Sequence, residues 1–200
     1  MSNQPSPKPN DTIQEQVERL TSAAKKLSST GKEAQALETY QQAAELMPGA
    51  PWLQFRTAEL ARKLKQPAVA AEHYQRTSTA FIRAGFLKRA LGPLRGAWAL
   101  RGAALPKDPS SFAALSVELA ELQRALGLAA DAVLSIASAN DALQASGCTE
   151  RVPTPTEMAQ HAGVSPAARE PVLPPESGVK PSQRAIELGV LARVREALKP

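Results

Sequence analysis

The sequence predicts an all-α protein, and two observations lead to that prediction. Alanine and leucine supply 60 of the 200 residues, whereas valine and isoleucine supply only 14, so strong helix formers greatly outnumber the best strand formers. Glycine and proline also interrupt the chain at intervals of helical length. No uninterrupted apolar stretch approaches the roughly 18 residues that a membrane span needs, so the fold is expected to be soluble, without a membrane-embedded part.

Residues 11–147 are expected to form a helical domain. Six breaks divide this region into about seven helices, at Gly31, 48–51, 66–67, Gly85, 106–109 and Gly127. Within the segment 86–105, Pro93 follows Gly92, and a kink or a restart is expected there because proline removes a backbone hydrogen bond.

Two stretches are too rich in proline and too poor in apolar residues to join this domain. Residues 1–10 contain three prolines among polar side chains and are expected to form a disordered leader without the features of a secretory signal. Residues 148–181 contain seven prolines and are expected to form a linker.

One amphipathic helix is expected beyond the linker, over residues 182–198. Apolar residues recur there at three- and four-residue steps, at Ile186, Val190, Leu191, Val194 and Leu198. Two interpretations remain open: this helix covers the open end of the helical domain, or it is a tethered docking segment for another protein.

The predicted helices contain a spacing that repeats. Ala36 and Ala70 are 34 residues apart, as are Tyr40 and Tyr74, and each alanine precedes its tyrosine by one helical turn. A small residue one turn from a ring lets two helix backbones approach while the ring fills a neighbouring groove. Short helices of this kind are expected to stack on each other.

The segment 31–48 resembles the second helix of a tetratricopeptide repeat, with Gly31, Ala36, Tyr40, Ala43 and Pro48 at that family's characteristic places. A second, degenerate unit has Lys65 where a glycine would stand and Ile82 where a proline would stand. The same offsets of five, nine and twelve residues follow two later glycines, in the sets Gly85, Ala90, Leu94, Ala97 and Gly127, Ala132, Ile136, Ala139. The resemblance implies a short right-handed α-α superhelix of antiparallel helix hairpins. The alternative is an ordinary helical bundle.

Charge is unevenly distributed along the chain. Residues 56–107 hold 11 basic and 2 acidic side chains, a net charge of +9, whereas the flanking blocks 1–55 and 108–200 have net charges of −1 and −3. Most of these cations must face water or an acidic partner, either a protein or, less favourably, a nucleic acid. Nucleic acid is disfavoured because stacking aromatics are sparse and no nucleic-acid-binding motif is present.

The resemblance to tetratricopeptide repeats also implies a concave groove lined by the first helix of each hairpin. Its candidate partner-binding residues are Trp52, Phe55, Glu59, Arg62 and Lys63, with the two aromatic rings as anchors. The alternative for both rings is burial against the neighbouring helix pair.

An enzyme is not expected. His73 has no nucleophile partner in any recognisable motif and is expected to pack or to lie at the surface. No phosphate-binding glycine loop is present, so no cofactor is predicted, and two histidines with the single Cys148 predict no metal site.

The sequence therefore predicts a cytoplasmic, non-enzymatic adaptor that binds a protein or peptide partner, with an acidic partner as one option, through a helical-repeat groove. Two alternatives stay open. One is a nucleic-acid-associated accessory protein that uses the basic block 56–107, and the other is an oligomerising subunit of a larger assembly.

Overall fold

A computed structural model of the protein describes residues 12–105, 107–154 and 156–157. Within these residues the chain forms seven α-helices and no strand, which confirms the predicted all-α class. The helices are α1 Ile13–Ser29, α2 Glu33–Leu46, α3 Pro51–Lys63, α4 Pro67–Arg83, α5 Leu87–Gly102, α6 Pro109–Ala125 and α7 Ala129–Ala145. None of these helices is both long enough and apolar enough to cross a membrane.

Five of the helices end in the same way, with one residue in the left-handed backbone region. These residues are Gly31, Lys65, Gly85, Gly127 and Gly147. In each case the next N–H donates to the carbonyl five residues earlier, over 2.8–3.0 Å, as in Phe86 to Phe81 and Leu128 to Gln123. This cap satisfies a carbonyl that the end of the helix would leave without a partner.

Lys65 is the one described residue other than glycine with a positive φ, at 56°. It stands 34 residues after Gly31 and makes the same turn, with the Gln66 N–H donating to the Ala61 carbonyl over 2.9 Å. A side chain in this conformation is strained, because its Cβ crowds the backbone.

Replacing Lys65 with glycine is expected to stabilise the protein by about 1 kcal/mol, because the relief of strain exceeds the extra flexibility that glycine gives the unfolded chain. Lys65→Ala is the matched control, since it also removes the exposed lysine side chain but keeps the Cβ. Urea denaturation should show a higher midpoint for Lys65→Gly than for Lys65→Ala. Equal midpoints would contradict the strain argument.

The positions at offsets of five, nine and twelve from the interhelical turn residues form the core of the fold. In α2, α4, α5 and α7 each of these side chains is at most 7% exposed. They are Ala36, Tyr40, Ala43, Ala70, Tyr74, Thr77, Ala90, Leu94, Ala97, Ala132, Ile136 and Ala139. The small and large residues that share this spacing therefore lie on the packed side of α2, α4, α5 and α7.

Each helix packs most extensively on the helices next to it in sequence. Trp98 joins α5 to α6, since its indole N–H donates to Ser116 Oγ over 2.8 Å and its ring lies 5.6 Å from that of Phe112. The arrangement fits a stack of helices laid down in chain order.

The helix α5 runs without a break through Pro93, so the expected restart is wrong. The missing proline N–H removes the usual donor to the carbonyl of Arg89. Both Arg89 and Gly92 are exposed, so water can reach this turn of the helix and replace the lost bond.

The chain after α7 packs back onto that helix. The Asn140 side chain donates to the Val152 carbonyl over 3.0 Å and accepts from the Val152 N–H over 2.7 Å, and the Val152 side chain is fully buried. Residues 148–154, which the sequence analysis assigns to the linker, are therefore held against α7. The rest of the predicted linker beyond residue 157, the predicted leader 1–10 and the predicted helix 182–198 lie outside the described residues.

Candidate functional site

The helix α3 has one side in the core and one side in contact with water. The buried side consists of Leu53, Gln54, Thr57, Ala58, Leu60 and Ala61. The other side, which we call the α3 face, consists of Trp52, Phe55, Arg56, Glu59, Arg62 and Lys63. The structure thus brings all five predicted partner-binding residues onto one surface and adds Arg56 to them.

The aromatic rings of the α3 face are only partly covered. Trp52 is 49% exposed and Phe55 is 38% exposed. Phe55 contacts the buried ring of Tyr74 edge to face, with ring centroids 5.9 Å apart and an interplanar angle of 61°. Burial of these rings, the alternative given by the sequence, is therefore incomplete, and both keep apolar surface available for a partner.

Tyr74 lies where α3, α4 and α5 meet. Its ring packs against the backbone of α5 at Gly96, where an added Cβ would stand 3.5 Å from the ring carbons. Its hydroxyl donates to Glu59 on α3. Burial, reinforced by this hydrogen bond, raises the pKa of Tyr74 to about 12, so the hydroxyl stays protonated as a donor at all physiological pH values.

Glu59 is held as a carboxylate by its neighbours. Burial alone would raise the pKa of Glu59, but the hydrogen bonds from Tyr74 and Arg62 outweigh that effect and lower it. Arg62 reaches the second carboxylate oxygen with an Nη2 to Oε2 distance of 3.0 Å. Both oxygens of Glu59 are therefore occupied, and its negative charge is largely offset in place.

The cations of the α3 face differ in their partners. Lys63 pairs with Glu33 at the start of α2, and Arg62 pairs with Glu59. Arg56 has no ion pair among the described residues. Burial raises the pKa of Tyr40 against the charge of Arg56, and the same charge contributes to the lowered pKa of Glu59. Arg56 therefore adds to the α3 face a positive charge without an ion pair, one helical turn after Trp52.

Ten of the eleven cations in the basic block 56–107 are exposed, and the eleventh, Arg101, is partly buried. Five of them form ion pairs, namely Arg62, Lys63, Arg76, Arg95 and Arg101. The other six have no ion pair within the described part of the chain: Arg56, Lys65, Arg83, Lys88, Arg89 and Lys107. The surface of this block is consequently positive.

A buried polar cluster lies beneath the α3 face. Gln54 is fully buried, and its amide nitrogen donates to the carbonyls of Ala44, over 3.2 Å, and Pro48, over 3.4 Å. Its Oε1 lies 2.7 Å from Nδ1 of His73, which must carry a proton in order to donate to it. His73 is 5% exposed, so it packs in the interior, and Gln54 joins α3 to the end of α2 and to α4.

The stability of the fold is expected to fall as the pH drops below 6.5. Burial, aided by Arg76, lowers the pKa of His73 below 6.5 against the opposing charges of Glu72 and Glu45. The unfolded chain therefore takes up this proton before the folded chain does, and the contribution of neutral His73 is lost on acidification.

His73→Asn is the variant that isolates this effect. An asparagine side chain can place an amide nitrogen near the position of Nδ1, but it does not titrate. Urea midpoints measured at pH 7 and pH 5 should fall less for the variant than for the wild type, because all other titrating groups are shared. Equal falls would show that His73 does not contribute.

Other features of the described residues offer little for ligand chemistry. No group of three or more His, Cys, Asp or Glu side chains in these residues is arranged to hold a metal ion. The thiol of Cys148 is free and partly buried. An open groove of about 350 Å³ lies between the α2–α3 turn and α4, and its lining is polar on the α4 side through Glu72, Gln75, Arg76, Thr79 and Arg83.

The candidate residues predicted from the sequence leave out Arg56 and the hydrogen bond from Tyr74 to Glu59. Arg56 stands one turn after Trp52, and that spacing is the signal that could have placed it on the α3 face. The bond between Tyr74 and Glu59 joins two helices, and no pattern in the sequence indicates it.

No known family model matches the chain, and no curated protein shows significant similarity to it. The resemblance to tetratricopeptide repeats therefore depends on the residues described above.

Proposed function

We propose that this protein is a non-enzymatic, cytoplasmic scaffold that binds an acidic protein partner on the α3 face. In this proposal the helices form a short superhelix of hairpins like that of tetratricopeptide repeat proteins. Burial of the residues at offsets of five, nine and twelve in α2 and α4, the second helices of two successive hairpins in this arrangement, supports it, because stacked repeats bury equivalent positions in each unit.

One observation carries the choice of surface: two partly exposed rings lie beside an arginine that has no ion pair within the described residues. Trp52 and Phe55 offer apolar area, and Arg56 follows Trp52 by one helical turn. Aromatic and arginine side chains contribute most of the energy at many protein interfaces. Glu59 does not oppose an acidic partner, because Tyr74 and Arg62 already occupy its carboxylate.

The chemistry of the α3 face indicates which kinds of side chain its partner would present. The rings favour an apolar side chain that covers them, and Arg56 favours a carboxylate within one helical turn of that side chain. The wider basic block would speed the encounter with a negatively charged protein and make it sensitive to salt. We therefore propose a partner segment that combines apolar and acidic residues.

The test compares two double variants in the full chain. Trp52→Ala with Arg56→Glu alters the α3 face, whereas Phe86→Ala with Arg89→Glu alters another exposed aromatic with a nearby arginine. Phe86 is 51% exposed and lies under the guanidinium of Arg89 at 5.1 Å, so the control removes a similar pair from the same basic block. All four residues are exposed, so both variants should fold, as circular dichroism would verify.

Proteins captured from native lysate by the wild type would be purified and titrated against all three forms. The proposal expects the α3-face variant to weaken binding at least tenfold and the control variant to leave it within about twofold. Equal weakening by both variants would indicate general charge attraction and would overturn the choice of surface. Tight binding of random-sequence duplex DNA at low salt, lost equally in both variants, would favour the nucleic-acid alternative.

A further inference from the structure

The helix α7 has a second apolar side that no other described helix covers. Its inner side is buried through Ala132, Ile136, Ala139 and Leu143, and it packs mainly on α6. On its outer side Val133 is 53% exposed and Leu134 is 67% exposed, with the exposed Ala130 and Ala137 one turn away. A helix that is apolar on both sides is typical of one that has partners on both sides.

Acidic residues lie on this outer side and beside it, since Asp141 stands seven residues after Leu134, two helical turns along the same side. Residues 128–150 contain Asp131, Asp141 and Glu150 and no lysine or arginine. Asp131 pairs with Arg95 at 3.0 Å, whereas Asp141 is exposed. A second copy of α7 packed against this side would bring like charges together, which is unfavourable. The surface fits an apolar stripe with basic residues beside it.

Residues 182–198 have that composition. Their apolar positions recur on one side of a helix, and they carry three basic and two acidic side chains, with Lys199 directly after them: Arg184, Arg193, Arg195, Glu187 and Glu196. We propose that residues 182–198 form an amphipathic helix that docks on the outer side of α7 through Val133 and Leu134. This docked helix covers the end of the stack and is independent of the partner site on α3.

The chain that follows α7 is long enough for residues 182–198 to reach the outer side of that helix. Val152 is fixed to Asn140 on α7, and the Thr154 hydroxyl accepts from the Glu157 N–H while the Glu157 carboxylate accepts from the Thr154 N–H, as at the start of a helix. The segment 182–198 is separated from residue 157 by 24 residues, and a coil of that length spans on the order of 27 Å. The 17 residues of α7 are about 25 Å long, so the tether reaches all of its surface. A tether of this kind supplies an effective concentration in about the millimolar range.

Hydrogen exchange followed by mass spectrometry on the full chain tests the proposal. Amides in 182–198 should be protected in the wild type, and Val133→Asp with Leu134→Asp should reduce that protection at least tenfold. Ile13→Asp is the control, because Ile13 is 59% exposed at the start of α1 and should leave the protection unchanged. Leu191→Asp, in the segment itself, should expose the same amides without altering exchange in α1–α6.

Three results would overturn the proposal. Amides in 182–198 that exchange at the unprotected rate in the wild type would show that the segment does not dock. Protection that survives the α7 variant but is lost with Leu191→Asp would show that it docks elsewhere. Protection that disappears on dilution would show that a second copy of the chain, and not the segment of the same chain, occupies the surface. A failure of the α3-face experiment would leave this prediction unaffected, since the variants there do not touch α7.

Discussion

Replacing Tyr74 with alanine is expected to destabilise the fold by about 3–5 kcal/mol, as for other large aromatic residues removed from a core. The ring is 5% exposed and lies between Phe55 on α3 and the backbone of α5 at Gly96. Its removal leaves a cavity where three helices meet, and no side chain at Gly96 can fill it. Chemical denaturation followed by circular dichroism measures the loss.

Tyr74→Phe separates packing from hydrogen bonding. Phenylalanine keeps the ring but removes the hydroxyl that donates to Glu59, which still pairs with Arg62. We expect a loss of about 1 kcal/mol for this variant, because a half-exposed carboxylate can recover a bond from water. If Tyr74→Ala cost no more than Tyr74→Phe, the ring would not be the part of the side chain that stabilises the junction of α3, α4 and α5.

Replacing Gln54 with leucine is expected to cost about 2–4 kcal/mol, although the two side chains have similar volumes. Leucine cannot accept a hydrogen bond from Nδ1–H of His73, and it cannot donate one to the carbonyls of Ala44 and Pro48. The penalty comes from polar groups left without partners inside the protein.

A double-mutant cycle with His73→Leu checks this explanation. When both partners become apolar, no imidazole is left unpaired, so the double variant should be more stable than the sum of the single losses predicts. A coupling of about 1 kcal/mol or more would support a direct interaction. If the losses in the free energy of unfolding were strictly additive, each substitution would destabilise the fold through packing alone.

The positions of the helices could be predicted because local residues determine them. Glycine, or a residue at the equivalent place, ends each of the five capped helices, and the 34-residue interval located the turn at Lys65 although no glycine stands there. The burial of Ala36 and Ala70 follows from helical periodicity in the same way.

The hydrogen bonds between elements could not be predicted. The pairs Gln54 with His73, Tyr74 with Glu59 and Asn140 with Val152 are separated by 19, 15 and 12 residues. Each pair depends on the rotation and crossing angle of two packed elements, which the period of apolar residues does not specify. The members of the α3 face, in contrast, share one helix, so their positions on one side of it follow from helical spacing.

Within the described residues each helix rests chiefly on the helices before and after it, so the contacts between helices join segments that are near one another in sequence. Closing such short loops costs little entropy, so proteins of this kind reach the native state quickly. Folding can begin at any adjacent pair of helices and spread in both directions, and the terminal helices are expected to open first under mild denaturant.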